Sequence, residues 1–217
     1  MQPFTSHAST DWVLVTGQPG CGKTTAVKKL VDELRATGAS VRGFYTDEVL
    51  QGGRRVGFDI VSVPDGRGPL ARKGAAGPKV GAYGVDVEGF ERLALPTLEV
   101  DDDDETIYVL DEIGRMELKS EAFATRVEEL LARGVRLVGA ITAPIYGHRV
   151  AFCDRVGATR GVAVHKLTSK TRDGVTAELK ESLARWDRFA DQRFGESEED
   201  EDGNVTFPPK SGKRKRK

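Results

Sequence analysis

The stretch VLVTGQPGCGKTTAVKKL, residues 13–30, decides the fold, because a strand, a glycine-rich loop and a helix follow one another in it. Residues 12–15 form a continuous apolar run, which is typical of a strand buried on both faces of a parallel sheet. From Thr24 onward the apolar residues recur at the spacing of one helix face, at Val27, Leu30, Val31 and Leu34. The loop between them fits the pattern G-x-x-x-x-G-K-[ST], whose backbone N–H groups surround phosphate. The sequence therefore predicts a phosphate-binding loop.

Each part of this loop has an expected role in binding a nucleotide with Mg²⁺. The glycines let the backbone come close to the phosphates, Lys23 reaches the β- and γ-phosphates, and the Thr24 hydroxyl ligates Mg²⁺. The start of the helix adds the positive end of its dipole. The residues predicted to bind nucleotide are Gly17, Gln18, Pro19, Gly20, Cys21, Gly22, Lys23, Thr24 and Thr25.

A second apolar segment, TIYVLDEIG at 106–114, predicts a strand that ends on two acids. A phosphate-binding loop needs an acid from a neighbouring strand for its magnesium ion, so Asp111 is predicted to be a metal ligand together with Thr24. A carboxylate one residue later is placed to take a proton from a water that attacks the γ-phosphate. Glu112 and Lys23 are therefore the predicted catalytic residues. The alternative is that Glu112 is a strand-end charge in a surface salt bridge.

The remaining pattern predicts an open α/β sheet that is largely parallel, with helices on its faces. Residues 41–63 indicate two strands joined by a hairpin at Gly52-Gly53, and further strands are expected at 135–142 and 161–167. A short helix is expected at 87–95 and a last helix at 173–190. Another helix is expected between the N-cap Ser120 and Gly134, with an apolar face formed by Phe123, Val127, Leu130 and Leu131.

Length and composition suit one domain. The chain has 217 residues, of which 38% are hydrophobic and 31% charged, and it contains no apolar run long enough for a membrane span. We expect a flexible N-terminus at 1–10, the domain at 11–194, and a disordered tail at 195–217 that is first acidic and then basic. A cytoplasmic protein is expected. The basic end of the tail suggests an import receptor and nuclear location, or a weak nucleic-acid contact, as alternatives to a solvated tail.

Several segments together resemble the cancer-related nucleoside-triphosphatase family. They are GQPGCGKTT, GFYTDEVLQGGRRVGFDIV, RGPLAR, FERLALP and VLDEIGRMEL, and the likeness extends from about Val13 to Leu179. The hairpin segment and DEIGRMEL are specific to the family, whereas the phosphate-binding loop is generic. Two positions depart from the family pattern: Leu50 stands where an arginine is usual, and Arg115 stands where a lysine is usual.

The resemblance implies a P-loop NTPase fold related to the RecA and AAA groups, and we expect the hairpin at 41–63 to be an insertion in it. It also implies Mg²⁺-dependent hydrolysis of ATP, GTP and other nucleoside triphosphates to diphosphate and phosphate, with loose base choice. The family pattern adds a second nucleotide-binding segment, formed by Ile107, Tyr108, Val109, Leu110, Asp111, Glu112, Ile113 and Gly114.

Two other functions remain open at this stage. A nucleotide or small-molecule kinase also uses a P-loop in about 200 residues, and an acceptor pocket could lie in RRVGF or GPLARKG. A regulatory switch would bind tightly without turnover, but the sequence contains no Asn-Lys-x-Asp motif for guanine. The candidates for a further cation on the γ-phosphate are Arg54, Arg55 and Arg115.

Overall fold

A computed structural model of the chain describes residues 11–100, 106–144 and 148–183, except 169, 172, 173, 176 and 180, together with the strand residues 198–199 and 205–206. The predicted flexible N-terminus, 1–10, and the rest of the predicted tail, 195–217, lie outside the described residues. The two short segments in the tail, Glu198–Glu199 and Val205–Thr206, pair antiparallel with each other. No helix in the described part of the chain is both long and apolar enough to cross a membrane.

Nine strands form one sheet around which the domain is built. In chain order they are β1 (Asp11–Gly17), β2 (Val41–Gln51), β3 (Arg54–Val63), β4 (Arg67–Lys73), β5 (Lys79–Val80), β6 (Tyr83–Val85), β7 (Ile107–Ile113), β8 (Arg136–Thr142) and β9 (Val162–Lys166). Across the sheet their order is β5-β6-β4-β3-β2-β7-β8-β1-β9. The strands predicted around the phosphate-binding loop, at 106–114, at 135–142 and at 161–167 are thus present.

The sheet is mixed, so the prediction of a largely parallel sheet is wrong. The strands β2, β7, β8, β1 and β9 are parallel, whereas β2, β3, β4, β6 and β5 pair antiparallel. The physical reason is the length of the connections. Only Gly52 and Gly53 separate β2 from β3, and so short a link returns the chain antiparallel, because a parallel return needs a crossover of about a dozen residues.

The turn between β2 and β3 has the geometry that its two glycines predict. Gly52 and Gly53 both have positive φ, at 56° and 74°, a conformation that other residues rarely adopt. The other edge of β2 pairs with β7 inside the sheet. The two strands therefore continue the sheet, and the prediction that the hairpin is an insertion is not confirmed.

Four α-helices that the structure describes from end to end pack on the sheet: α1 (Lys23–Ala36), α2 (Val87–Ala94), α3 (Glu121–Arg133) and α4 (Ala151–Gly157). As predicted, the Ser120 hydroxyl caps α3 by accepting from the Phe123 N–H at 2.9 Å, and Gly134 ends it with φ of 64°. The sequence did not predict α4, which is short and begins after Val150 without a side-chain cap. Helical residues also occur at 175, 177–179 and 181–183, while 173, 176, 180 and 184–190 of the predicted last helix lie outside the described residues.

Both faces of β1 are buried, which fixes the position of the loop that follows it. Trp12 and Leu14 pack into one hydrophobic cluster with Phe44 and Phe123, while Val13 and Val15 pack into a second cluster on the opposite face. In the sheet, Gly17 at the end of β1 lies opposite Thr142 at the end of β8, and Asp111 in β7 lies opposite Tyr45 in β2. The carboxyl ends of β1, β8 and β7 therefore meet at one edge, next to the middle of β2.

Candidate nucleotide-binding site

The loop between β1 and α1 presents backbone donors at this edge. Gly20 and Gly22 have φ of 77° and 101°, and Gly22 is the N-cap of α1 without any side-chain cap. Among the residues that the structure describes, no side-chain cap therefore occupies the first N–H groups of the helix, where the dipole is positive. A Cβ atom on Gly17 would lie 2.4 Å from the Leu167 carbonyl oxygen and 2.7 Å from Cys21 Sγ, so this position has no room for a side chain. The arrangement suits a bound phosphate chain.

Lys23, the first residue of α1, folds back over the loop. Its Nζ atom donates to the Gly17 carbonyl at 3.2 Å and lies 3.3 Å from Glu112 Oε2. The two side chains are 12% and 27% exposed, so the ion pair is partly shielded from water. Lys23 therefore connects the phosphate-binding loop to the end of β7.

Glu112 is held through both of its carboxylate oxygens. One oxygen faces Lys23, and the other, Oε1, accepts a hydrogen bond of 2.6 Å from the Thr142 hydroxyl. Thr142 ends β8, which lies between β1 and β7 in the sheet. The pairing of β7 with β8 changes register between Leu110 and Ile113, where Asp111 and Glu112 lie. The carboxylate is thus fixed in orientation beside the loop.

Asp111 is a buried carboxylate whose charge is only partly compensated. It is 1% exposed, and neither of its oxygens has a partner of hydrogen-bond geometry among the described residues. Burial raises the pKa of Asp111 to about 7, and the charge of Glu112 adds to this, while nearby Thr24, Lys23 and Lys28 lower it. A divalent cation would supply the missing compensation. This unpartnered carboxylate beside Thr24 fits a magnesium ion.

The expected metal site depends on the nucleotide. No cluster of three or more histidine, cysteine, aspartate or glutamate side chains suited to a metal occurs within the described ranges. Mg²⁺ in phosphate sites usually binds one or two protein oxygens, together with water and the phosphates. The pair Thr24 and Asp111 is sufficient for that kind of site.

Glu117 is a second buried acid of the site, to which the sequence alone assigned no role. It is 3% exposed, and burial, followed by the charges of Glu112 and Asp111, raises its pKa well above the ordinary value. A Cβ atom on Gly114 would lie 2.7 Å from Glu112 Oε1, 2.8 Å from Glu117 Oε2 and 2.9 Å from Thr142 Oγ1. The absent side chain of Gly114 therefore leaves the space in which these groups meet. The motif DEIGRMEL contains Glu117, but no spacing rule pointed to it.

A cavity of about 640 Å³ extends from the phosphate-binding loop across the edge of the sheet. Of the predicted site residues, it is lined by Pro19, Gly20, Gly22, Lys23, Thr24, Thr25 and Glu112. The further lining comes from Lys28, Thr46, Asp47, Glu48, Arg55, Phe58, Leu70, Val80, Gly81, Tyr83, Arg115, Met116, Glu117 and Thr142. The sequence did not predict that Thr142 or the residues Phe58, Leu70, Val80 and Tyr83 line the site, because they become neighbours only through the sheet.

The predicted segment 107–114 divides between the core and the site. Ile107 and Val109 pack in one core cluster, and Tyr108, Leu110 and Ile113 pack in the other. Alternate side chains enter opposite clusters as far as Leu110, and after the register irregularity between Leu110 and Ile113 the side chain of Ile113 is again in the cluster of Leu110. These five residues pack in the core, and of this strand Asp111 and Glu112 place their carboxylates next to the loop.

The three candidate arginines occupy different environments. Arg55 Nη1 forms an ion pair of 2.7 Å with Glu48 Oε1, and Arg55 Nε donates to the Tyr83 hydroxyl at 3.2 Å. Arg115 donates to the His148 carbonyl at 2.7 Å. Both line the cavity, whereas Arg54 begins β3 at the exposed end of the hairpin and does not. Leu50, next to that turn, is 59% exposed.

Comparison with known proteins identifies the family. A family model described as NTPase matches residues 12–180. The chain is 39% identical over 178 residues to the human cancer-related nucleoside-triphosphatase, covering 77% of this chain and 93% of that protein. It is 36% identical over 168 residues to the nucleoside-triphosphatase THEP1 of Thermotoga petrophila, covering 77% of this chain and 89% of that protein.

Two solved structures are also similar. The solution structure of a human cancer-related nucleoside triphosphatase matches with a TM-score of 0.68 at 37% identity, covering 81% of this chain and 97% of that one. The crystal structure of THEP1 from Aquifex aeolicus matches with a TM-score of 0.68 at 32% identity, covering 77% and 96%. The chain therefore belongs to the NTPase family that includes the cancer-related nucleoside-triphosphatases and THEP1, as its motifs predicted.

Proposed function

We propose that the protein hydrolyses nucleoside 5'-triphosphates to the diphosphate and phosphate in a Mg²⁺-dependent reaction. The observation that carries this proposal is the position of Glu112, which is held between Lys23 and Thr142 directly beside the phosphate-binding loop. The names of the relatives, nucleoside-triphosphatases, support the same reaction class.

The phosphate chain is bound first by the loop and by Lys23. The N–H groups at the start of α1 face the α- and β-phosphates, and the Lys23 ammonium exchanges its contact with Glu112 for the more highly charged γ-phosphate. This exchange releases one oxygen of Glu112, whereas the hydrogen bond from Thr142 continues to hold the other. Nucleotide binding thereby prepares the carboxylate to act as a base.

Thr24 and Asp111 would hold the magnesium ion, which neutralises charge on the phosphates when it is bound. Asp111 is suited to this task because its carboxylate is buried and has no hydrogen-bond partner among the described residues. Loss of the cation would leave this carboxylate facing the other acids of the site. Mg²⁺ dependence follows from that requirement.

Glu112 then accepts a proton from the water that attacks the γ-phosphate. The oxygen of this water bonds to the γ-phosphorus as the bond from that phosphorus to the bridging oxygen breaks, so that inorganic phosphate and the nucleoside diphosphate form. Glu112 afterwards releases its proton to solvent. Arg115 is our candidate for stabilising charge on the γ-phosphate, because it lines the cavity three residues after Glu112 and its recorded partner is an uncharged carbonyl group. Arg55 is less suited, since Glu48 already neutralises it.

Loose base choice is part of the proposal. The residues that line the phosphate end of the cavity belong to the loop and to α1, and they address the phosphates rather than the base. The sequence also contains no Asn-Lys-x-Asp motif that would select guanine, which argues against a GTP-specific switch. Phosphate release from a panel of nucleotides, with and without Mg²⁺ and without an acceptor, tests this and separates a hydrolase from a kinase.

The decisive variant is Glu112→Gln. It keeps the size of the side chain but removes its basicity, so we expect turnover to fall about 10²–10⁴-fold, while Mg–ATP still binds with affinity close to that of the wild type. Lys23→Ala should weaken binding as well as turnover, because it removes charge in both the ground and the transition state. Glu121→Gln, at an exposed position at the start of α3, is the matched control. Turnover of Glu112→Gln near the wild-type rate would show that Glu112 is only a strand-end charge.

A further inference from the structure

We propose that the cavity holds a second ligand beside the nucleotide, a neutral molecule with a flat aromatic ring and hydroxyl groups, of the nucleoside class. This subsite is the wall formed by Glu48, Arg55, Phe58, Leu70, Val80 and Tyr83. It lies beyond the position of the γ-phosphate, and its placement rests on the proposed nucleotide site.

The order of the strands separates this wall from the phosphate-binding loop. The loop follows β1, Thr142 and Glu112 come from β8 and β7, and β2 and β3 follow in the same direction across the sheet. With neighbouring strands about 4.8 Å apart, Phe58 in β3 lies about 10 Å further across the sheet than Glu112. The cavity therefore continues well past the catalytic carboxylate.

The direction of the phosphate chain leaves this part of the cavity free of the nucleotide. In a phosphate-binding loop the backbone holds the α- and β-phosphates and the lysine reaches the β- and γ-phosphates. Because Lys23 lies against Glu112, the γ-phosphate is the end that points toward β7. The base and sugar then leave the site at the opposite end, away from Phe58 and Tyr83.

The surface of the subsite is suited to a flat ring. Phe58 and Tyr83 pack edge to face with their centroids 5.4 Å apart, and the Arg55 guanidinium lies 5.1 Å from the Phe58 centroid. The aliphatic side chains of Leu70 and Val80 complete the wall. Aromatic rings and a planar guanidinium group favour ligands that stack or pack against them.

The charges of the wall indicate that the ligand is neutral. Arg55 is paired with Glu48 at 2.7 Å, so the wall offers both a donor and an acceptor but little net charge. At the border toward the loop, Lys28 pairs with Asp47, which also accepts from Arg67 at 3.1 Å. A phosphorylated ligand would bring an anion to a wall whose arginine is already neutralised by Glu48. Ring nitrogens, amino groups and sugar hydroxyls of a nucleoside match this mixture of hydrogen-bonding groups.

The test is isothermal titration of adenosine into the full-length protein saturated with Mg²⁺ and the non-hydrolysable β,γ-imido analogue of ATP. We expect one adenosine to bind per chain. Phe58→Ala and Tyr83→Ala should each weaken this binding at least fivefold, which is the lower end of what base–aromatic stacking contributes, about 1–3 kcal/mol. Phe58→Leu, which keeps most of the apolar volume, serves if the alanine variant does not fold. AMP should bind more weakly than adenosine.

Phe152→Ala is the matched control, because Phe152 also lies beside an arginine, at 5.4 Å from Arg155, but does not line the cavity. It should leave adenosine binding unchanged. The proposal is wrong if adenosine does not bind once the ATP analogue is in place, if the Phe58 and Tyr83 variants bind it as the wild type does, or if AMP binds more tightly. Phosphate release by the wild type is measured separately, so failure of the second subsite and failure of the proposed hydrolysis are distinguished.

Discussion

Replacement of Asp111 by asparagine should change how the stability of the metal-free protein depends on pH. Burial raises the pKa of this carboxyl from 3.8 to about 7, and the charge of Glu112 contributes. Between these values the folded protein keeps a proton that the unfolded chain has released. The contribution of Asp111 to stability is therefore full below pH about 4, decreases as the pH rises toward about 7, and stays low above that.

The magnitude follows from the two pKa values. Each unit of difference corresponds to about 1.4 kcal/mol. Between pH 5 and pH 8, the free energy of unfolding of the wild type should thus fall by about 2–3 kcal/mol through this one group. The asparagine of the variant does not titrate, and the Asp111 charge is also one of the causes that raise the pKa of Glu117. The variant therefore lacks the titration of Asp111 and has a smaller pKa shift at Glu117, and both changes reduce the pH dependence of its free energy of unfolding.

Urea unfolding in EDTA at pH 5 and at pH 8 measures this difference for both proteins. The comparison between the two pH values cancels the cost of burying the asparagine amide, which does not change with pH. We expect the variant to lose about 2 kcal/mol less than the wild type over this range, and to release little phosphate from Mg–ATP. Equal losses in the two proteins would show that burial does not raise the pKa of Asp111, and would refute the reasoning.

Three further predictions concern the site and the sheet that supports it. Thr142→Val removes the 2.6 Å hydrogen bond to Glu112 and should lower turnover about tenfold with Mg–ATP affinity unchanged; wild-type turnover would show that Glu112 needs no such support. Maleimide should label Cys21 before Cys153, because Cys153 is 4% exposed and burial raises its pKa to about 12. Labelling at Cys21 should abolish phosphate release, because Cys21 lies in the phosphate-binding loop, and Mg–ATP should protect against it. Mass spectrometry measures the labelling, and full activity after complete labelling at Cys21 would contradict the prediction. Gly139→Ala would place a Cβ atom 2.1 Å from the Leu110 carbonyl oxygen, so urea unfolding should show a loss of about 2–3 kcal/mol. An unchanged free energy of unfolding would rule out this close approach of β7 and β8.

Local patterns predicted most of the elements correctly. The run that becomes β1, the periodic apolar face of α1, and the cap and end of α3 each depend on residues within a few positions of one another. The helix α4 was not predicted, because its two buried apolar residues, Cys153 and Val156, are too few to show a helical period and its N-cap, Val150, makes no side-chain hydrogen bond. The antiparallel hairpin of β2 and β3 was predicted correctly. The prediction of a largely parallel sheet was wrong because strand–helix alternation does not show that short connections add β4, β6 and β5 antiparallel as well.

The sequence by itself determined the phosphate-binding loop, because its glycines, Lys23 and Thr24 are close together in the chain and their local conformations create the site. It also indicated Asp111 and Glu112, since both follow a recognisable buried strand. Only the tertiary structure decided which groups surround them. Thr142 reaches Glu112 from a strand 30 positions later in the chain, and Tyr83 reaches Arg55 across 28 positions. Such pairs arise from the order of the strands in the sheet. That order depends on the burial of both faces of the sheet and on all the connections together, so no pattern within a few neighbouring residues predicts it.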